Sequence, residues 1–330
     1  FRFWVKIKAR VNPDNIKAMA NKVKEKSVVE DYKKIQEAYD KSQREIGELK
    51  KQLAQTKDKK EKKQVEAKIS DDERLFQANE WFEKGYKYGL NKEYDKAIEA
   101  YTSAIALEPN GTGAYNNRGA AYADKGQYDR AIEDYNKAIA LDPNLSEPYY
   151  NRGAAYADKG QLDRAIEDYN KAIAINPNNA DAYYNRGNTY YKKGQYDRAI
   201  ENYNRAIALN PNYAKAYNNR GLAYNDKGQY DRAIEDYNKA IALDPNYAEA
   251  YVNRGIAYGN KGQYDRAIED YNIGIAINPN LAKVYGNRGL AYFFSGNRGR
   301  AISDFQKACD LGSEDGCKAF KALQKVLQDR

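Results

Sequence analysis

Between residues 78 and 315 the apolar and small positions recur with a fixed period of 34 residues. The copy at 146–179 shows the pattern. Tyr149, Gly153 and Tyr156 are spaced four and three apart, which puts them on one helical face. Ala165, Tyr169 and Ala172 repeat that spacing on a second helix. Gly153 and Ala165 are small, so the two faces can approach closely. Gly160 suits the left-handed residue that ends the first helix, and Pro177 cannot continue the second. Each copy is therefore predicted to be a helical hairpin. The fixed period predicts hairpins that bury their cores against their neighbours.

These residues resemble the tetratricopeptide repeat, with an aromatic at position 4, Gly at 8, Tyr at 11, Ala at 20, an aromatic at 24, Ala at 27 and Pro at 32. Seven copies fit in register: 78–111, 112–145, 146–179, 180–213, 214–247, 248–281 and 282–315. The resemblance implies an all-α fold, a helical-hairpin solenoid wound as a right-handed superhelix. It also implies that the first helix of each copy lines a concave groove, mainly through positions 2, 5, 9, 12 and 13.

Those are also the positions at which the copies differ most. The candidate partner-binding residues are Asn116 and Asp124 in the second copy and Tyr150 and Asp158 in the third. The fourth contributes Tyr184, Asn188, Tyr191 and Lys192, and the fifth Asn218 and Leu222. Val252 and Ile256 follow in the sixth, then Leu290, Phe293 and Phe294 in the seventh. The expected groove runs from a polar, tyrosine-bearing middle to an apolar C-terminal end able to anchor a protein or peptide. Phe293 and Phe294 have a second reading, as the seat of a closing helix. Lys at position 5, which the chaperone-type clamp of this family uses, is absent from every copy. Asn117, Asn151, Asn185, Asn219 and Asn253 at position 6 offer hydrogen bonds to a ligand backbone, though their uniformity suits a general role. Arg118, Arg152, Arg186 and their equivalents are read as structural.

The ends are irregular. Residues 1–11 alternate Phe1, Phe3, Val5 and Ile7 against Arg2, Trp4, Lys6 and Lys8, a strand with one apolar and one mainly basic face. With the helix start that follows, 1–27 is expected to be the remnant of a truncated N-terminal domain. From 28 to 77 a long helical arm is expected, with Tyr32, Ile35, Tyr39, Ile46, Leu49 and Leu53 forming a seam. That seam suits either a coiled coil, and so a homodimer through 28–53, or one amphipathic helix packed back on its own chain. Residues 55–68 read as a charged, solvated helix or linker. The repeats occupy 78–315, and 316–330 reads as a helix capping the last of them.

Charge is unevenly placed. The chain carries a net +8, with 21 basic and 14 acidic residues in 1–77. Asp58, Glu61 and Glu66 interrupt the basic run and no aromatic is interleaved, so no nucleic-acid partner is expected. Contact with an anionic membrane surface is the weaker alternative for this arm. No histidine is present, and no nucleophile–base pair, metal cluster or phosphate loop is recognisable, so no enzyme, metal or cofactor is expected. The 32 tyrosines mostly fall at core positions and read as packing residues.

Cys309 and Cys317, in ACDLGSEDGC, resemble the cysteine pair of Sel1-like repeat proteins, where that spacing carries a disulfide. A bridge would favour a periplasmic or secreted setting; two reduced, buried cysteines would favour the cytoplasm. The expected function is a non-enzymatic scaffold that holds partner proteins in a bacterial envelope assembly. The alternative is a cytosolic adaptor or co-chaperone.

Overall fold

A computed structural model describes residues 26–328, so the expected N-terminal strand lies outside the described residues. Among those described there are sixteen helices and no strand. They fall into two compact units, divided after Asn151.

The first unit opens with α1 (Lys26–Gln55) and α2 (Lys59–Leu90). The break between them is made by Asp58, whose Oδ1 accepts from the backbone N–H of Lys60 and Glu61 at 2.9 and 2.8 Å. α1 turns back on α2: Leu49 packs with Val65 and Ile69, Leu53 lies beside them, and Lys50 pairs with Glu73 at 2.8 Å. The C-terminal part of the 28–53 seam is therefore occupied within the chain. α2 runs unbroken past residue 77 into the first hairpin, where its partner is α3 (Tyr94–Leu107). Arg74 Nη1 donates to the Leu107 carbonyl at 3.0 Å and ties the two helices together. The next hairpin is α4 (Thr112–Asp124) with α5 (Tyr128–Leu141), and α6 (Ser146–Asp158) crosses the division.

The second unit continues with α7 (Leu162–Ile175), α8 (Ala180–Lys192) and α9 (Tyr196–Leu209). α10 (Ala214–Asp226) pairs with α11 (Tyr230–Leu243), and α12 (Ala248–Asn260) with α13 (Tyr264–Ile277). α14 (Ala282–Phe294) and α15 (Arg298–Asp310) form the last hairpin, followed by α16 (Glu314–Gln328).

One contact builds each hairpin. A Cβ placed on Gly187 would lie 2.8 Å from the Tyr203 ring, and one on Gly221 would lie 2.7 Å from that of Tyr237. Only a residue without Cβ lets the ring at position 24 lie on the backbone at position 8. Tyr203, Tyr237, Ala199 and Ala233 are in consequence almost wholly removed from solvent. The turn between the two helices is equally uniform, with Gly194, Gly228 and Gly262 near φ 70–73°. Lys92 holds the same left-handed place at φ 61°, which is costlier for a residue with a Cβ.

A buried ion pair braces most hairpins from the polar side. Arg220 donates through Nε and Nη2 to Asp236 at 2.7 and 2.6 Å. Arg254–Asp270 and Arg288–Asp304 repeat the fork, as does Arg118–Asp134 in the first unit. The fourth copy departs from it. Asn202 stands opposite Arg186, accepts from its Nε at 2.7 Å, and turns its own amide to the Arg198 carbonyl at 2.8 Å. Burial then lowers the Arg186 pKa, whereas the bonds to aspartate raise those of Arg118, Arg254 and Arg288.

The closing helix covers the last hairpin. Leu323 packs on Ala301 and Phe305, with Tyr292, Ala319 and Phe320 around them, and Cys309 is bridged to Cys317. Phe293 and Phe294 are not part of this cluster and remain exposed.

Two substitutions test these constraints. Gly221→Ala is expected to destabilise by about 1–3 kcal/mol through overpacking, although alanine favours an exposed helix by about 1 kcal/mol. Asn202→Asp is expected to stabilise by about 1.5–3 kcal/mol, the range of a hydrogen bond to a charged group. Urea unfolding followed by circular dichroism reads both signs.

Candidate functional site

The first helices of the copies place their variable positions side by side. In the second unit this produces a cavity of about 470 Å³, within the size range of ligand pockets. Ala154, Ala157 and Asp158 of α6 form one wall. Asn185, Asn188, Thr189, Tyr191 and Lys192 of α8 form the middle, and Asn219 and Leu222 of α10 the far side. Tyr169 and Tyr203, core residues by their rings, complete the lining. The space exists because α6 offers small alanines where α8 offers long side chains.

The polar groups are held by a network. Asn188 Oδ1 accepts from the Tyr203 hydroxyl at 2.8 Å and from Asn219 Nδ2 at 2.9 Å. Asn219 also donates to the Tyr184 hydroxyl at 2.9 Å, and the Tyr184 ring lies 4.8 Å from that of Tyr213. Tyr191 donates to Asp226 at 2.5 Å; burial and this carboxylate together raise its pKa. Asp158 and Lys192 are exposed, and neither forms an ion pair. The cavity is thus apolar in part, rich in amides and hydroxyls, and carries one charge of each sign.

The sequence candidates divide into groups. Asp158, Asn188, Tyr191, Lys192 and Leu222 meet in the cavity. Tyr184 is not in the lining and accepts from Asn219, which is. Asn218 is buried and bonded to Asn219 and Asn253 at 3.1 and 3.0 Å, so it serves the fold. Val252 is a core residue, packed with Ala267, Tyr271 and Val284, and Ile256 lies half-buried against the same cluster. Gly274 makes room for it, since a Cβ there would lie 2.8 Å from Val252. Leu290, Phe293 and Phe294 are exposed and lie outside the cavity. In the first unit, Asn116 is buried and, with Phe82 and Tyr86, lines a separate cavity of about 420 Å³. Asp124 is hydrogen-bonded to Tyr94, and Tyr150 is half-buried.

The position-6 asparagines are used between copies. Asn151 donates to Asn116, Asn219 to Tyr184 and Asn253 to Asn218, each reaching position 5 of the preceding copy. Where that position becomes Val252, the Asn287 amide is buried without a partner. Likewise Leu222 replaces the acceptor that Asn188 provides for Tyr203, and the Tyr237 hydroxyl is buried unbonded. Tyr169 and Tyr203, which the sequence offers only as packing residues, also line the cavity. The available signal was tyrosine rather than phenylalanine at position 24, a hydroxyl that a purely apolar core does not require.

Among the described residues, no group of three or more Cys, Asp or Glu side chains could hold a metal ion. No described helix is long and apolar enough to cross a membrane.

The family signature described as TPR repeat matches residues 85–126, 119–160, 155–194, 187–225 and 221–262. Tetratricopeptide repeat signatures continue over 248–281 and 282–312. The chain belongs to the tetratricopeptide repeat family. Its fold is similar to that of a tetratricopeptide repeat protein from Parabacteroides merdae, with TM-score 0.59 at 23% identity, over 75% of this chain and 99% of that one. Pseudomonas aeruginosa pilF is similar over 65% of this chain and 97% of its own, with TM-score 0.57 at 20% identity. The C-terminal part of a repeat-containing protein from Cytophaga hutchinsonii gives TM-score 0.57 at 21% identity, over 72% of this chain and 98% of that one. No curated protein matches the chain.

The unbonded hydroxyl predicts a contrast. Tyr203→Phe breaks the bond to Asn188 and is expected to destabilise by about 0.5–1.5 kcal/mol. Tyr237→Phe removes a group that has no partner, so it should be neutral or stabilising in the same thermal melts.

Proposed function

We propose that this protein is a non-enzymatic scaffold whose second unit holds a polypeptide segment in the cavity between α6, α8 and α10. The observation that carries this reading is the convergence of Asp158, Asn188, Tyr191, Lys192 and Leu222 on one cavity. They differ between otherwise repeated copies, so they are the part of the surface able to select a partner. Amides and hydroxyls suit the main chain of a peptide, Leu222 and the two alanines suit an apolar side chain, and Asp158 and Lys192 offer charge selection. Tetratricopeptide membership supports a protein partner rather than a small substrate.

The finer reading places this scaffold in a bacterial envelope assembly. The Cys309–Cys317 bridge supports it, because such bonds persist in oxidising compartments. Mass-spectrometric thiol counting on native protein is expected to find no free thiol; two would count against the envelope setting.

Peptides selected from a random display library on the intact chain test the cavity. Their affinity is expected to fall about tenfold or more in Tyr191→Ala and Lys192→Ala, as for residues central to an interface. Unchanged affinity in both variants would sink the assignment.

A further inference from the structure

The hairpin of α1 and α2 ends in a cluster of unpaired positive charge. Residues 50–63 carry seven lysines against Asp58 and Glu61, so the tip bears a net of five positive charges. Further along the first unit, several basic side chains have carboxylate partners. Lys33 pairs with Glu37, Lys41 with Glu45, Arg74 with Asp71 and Lys87 with Glu83. At the tip, Lys50 reaches back to Glu73 at 2.8 Å. Lys51, Lys57, Lys59, Lys60, Lys62 and Lys63 are exposed and form no ion pair with a described residue.

The hairpin itself has no use for this clustering. It closes through Leu49, Val65 and Ile69, with Leu53 packed against them. Asp58 is committed to capping α2 through the N–H groups of Lys60 and Glu61. Lys59 and Lys63 stand one turn apart, a like-charge pair that weakens a helix. Residues 59–77 of α2 precede the first repeat, so the tip stands about 28 Å from it along the helix.

We propose that this tip is a docking surface for an anionic lipid bilayer, built from different residues than the cavity. Charge complementarity sets an anionic partner, and the residue type sets its kind. The lysine ammonium is a compact, strongly hydrated point charge without a fixed geometry, which suits the diffuse charge of lipid headgroups. Residues 50–63 contain no arginine and no aromatic residue, so the tip lacks the bidentate and stacking groups that read nucleic acids. Lys59 to Lys63 span about 6 Å of helix axis. Such a spot meets a plane end-on, whereas a phosphate backbone is followed by a longer row. With Leu53 packed into the hairpin, contact is electrostatic and without insertion, hence reversible and weakened by salt.

The test is flotation of the intact chain with lipid vesicles. Vesicles of phosphatidylglycerol mixed with phosphatidylcholine are expected to carry the protein at low salt and to release it as salt rises. Vesicles of phosphatidylcholine alone should not carry it. Lys59→Gln, Lys60→Gln, Lys62→Gln and Lys63→Gln together should lower the affinity by about a hundredfold or more, at about fivefold per lysine. Removing as much charge elsewhere, by Lys137→Gln, Lys171→Gln, Lys239→Gln and Lys307→Gln, should leave binding nearly unchanged. All eight side chains are exposed, and circular dichroism checks the fold of both variants. A short DNA duplex at the same salt forms the last arm and is expected to bind more weakly than the anionic vesicles. The proposal fails if anionic vesicles do not recruit the chain, if neutral ones recruit it equally, or if salt has no effect. Indifference to the tip substitutions, equal loss with the other four lysines, or tighter binding of the duplex would also overturn it.

Discussion

The structure depends on an aromatic ring lying directly on a glycine backbone. In each hairpin of the second unit the ring at position 24 approaches position 8 so closely that a Cβ would fall about 2.7–3.1 Å from it. That contact sets the separation of the two helices, and through it the spacing of everything they carry. The alanines at position 20 are buried to 0% exposure by the same approach. It also reaches beyond the core. Because the ring belongs to tyrosine in Tyr169 and Tyr203, the residues that close the hairpin form part of the cavity lining.

The polar framework is where the copies part company. Asparagines bridge consecutive copies, and arginine–aspartate forks brace most of them, so most buried polar groups have partners. The exceptions fall at three departures from the repeat, of which Leu222 lines the cavity while Val252 and Asn202 are buried. Leu222 leaves Tyr237 unbonded, Val252 leaves Asn287 unbonded, and Asn202 deprives Arg186 of its carboxylate. An unmet buried group costs about 1–3 kcal/mol. Divergence at Leu222 and Val252 therefore lowers stability.

Much of this was legible in the letters. The 34-residue period, the glycine and aromatic positions and the turn glycines describe the hairpins because they depend on local geometry repeated in register. The five residues that meet in the cavity sit at positions that the family resemblance assigns to the groove and that also vary between copies. The structure takes up Asn218 in hydrogen bonds and Val252 in packing, and bonds the position-6 asparagines to the preceding copy, the general role their uniformity suits. It also chooses between readings that sequence left open. The seam at Leu49 and Leu53 packs on α2, and the closing helix sits on Phe305 instead of Phe293 and Phe294.

The sequence by itself determined the class of fold and the family, since both rest on periodicity and on residues with one steric role. Only the tertiary structure decided which variable positions converge. Tyr191 reaches Asp226, 35 residues away, and Asn219 reaches both Tyr184 and Asn188 in the copy before. Such meetings depend on the register between neighbouring hairpins and on side-chain direction, neither of which a period of 34 specifies. A letter that changes between copies marks freedom from the hairpin's own steric rule. Whether that freedom opens a cavity, fills a core or exposes a ring is settled by what the adjacent copy places opposite it.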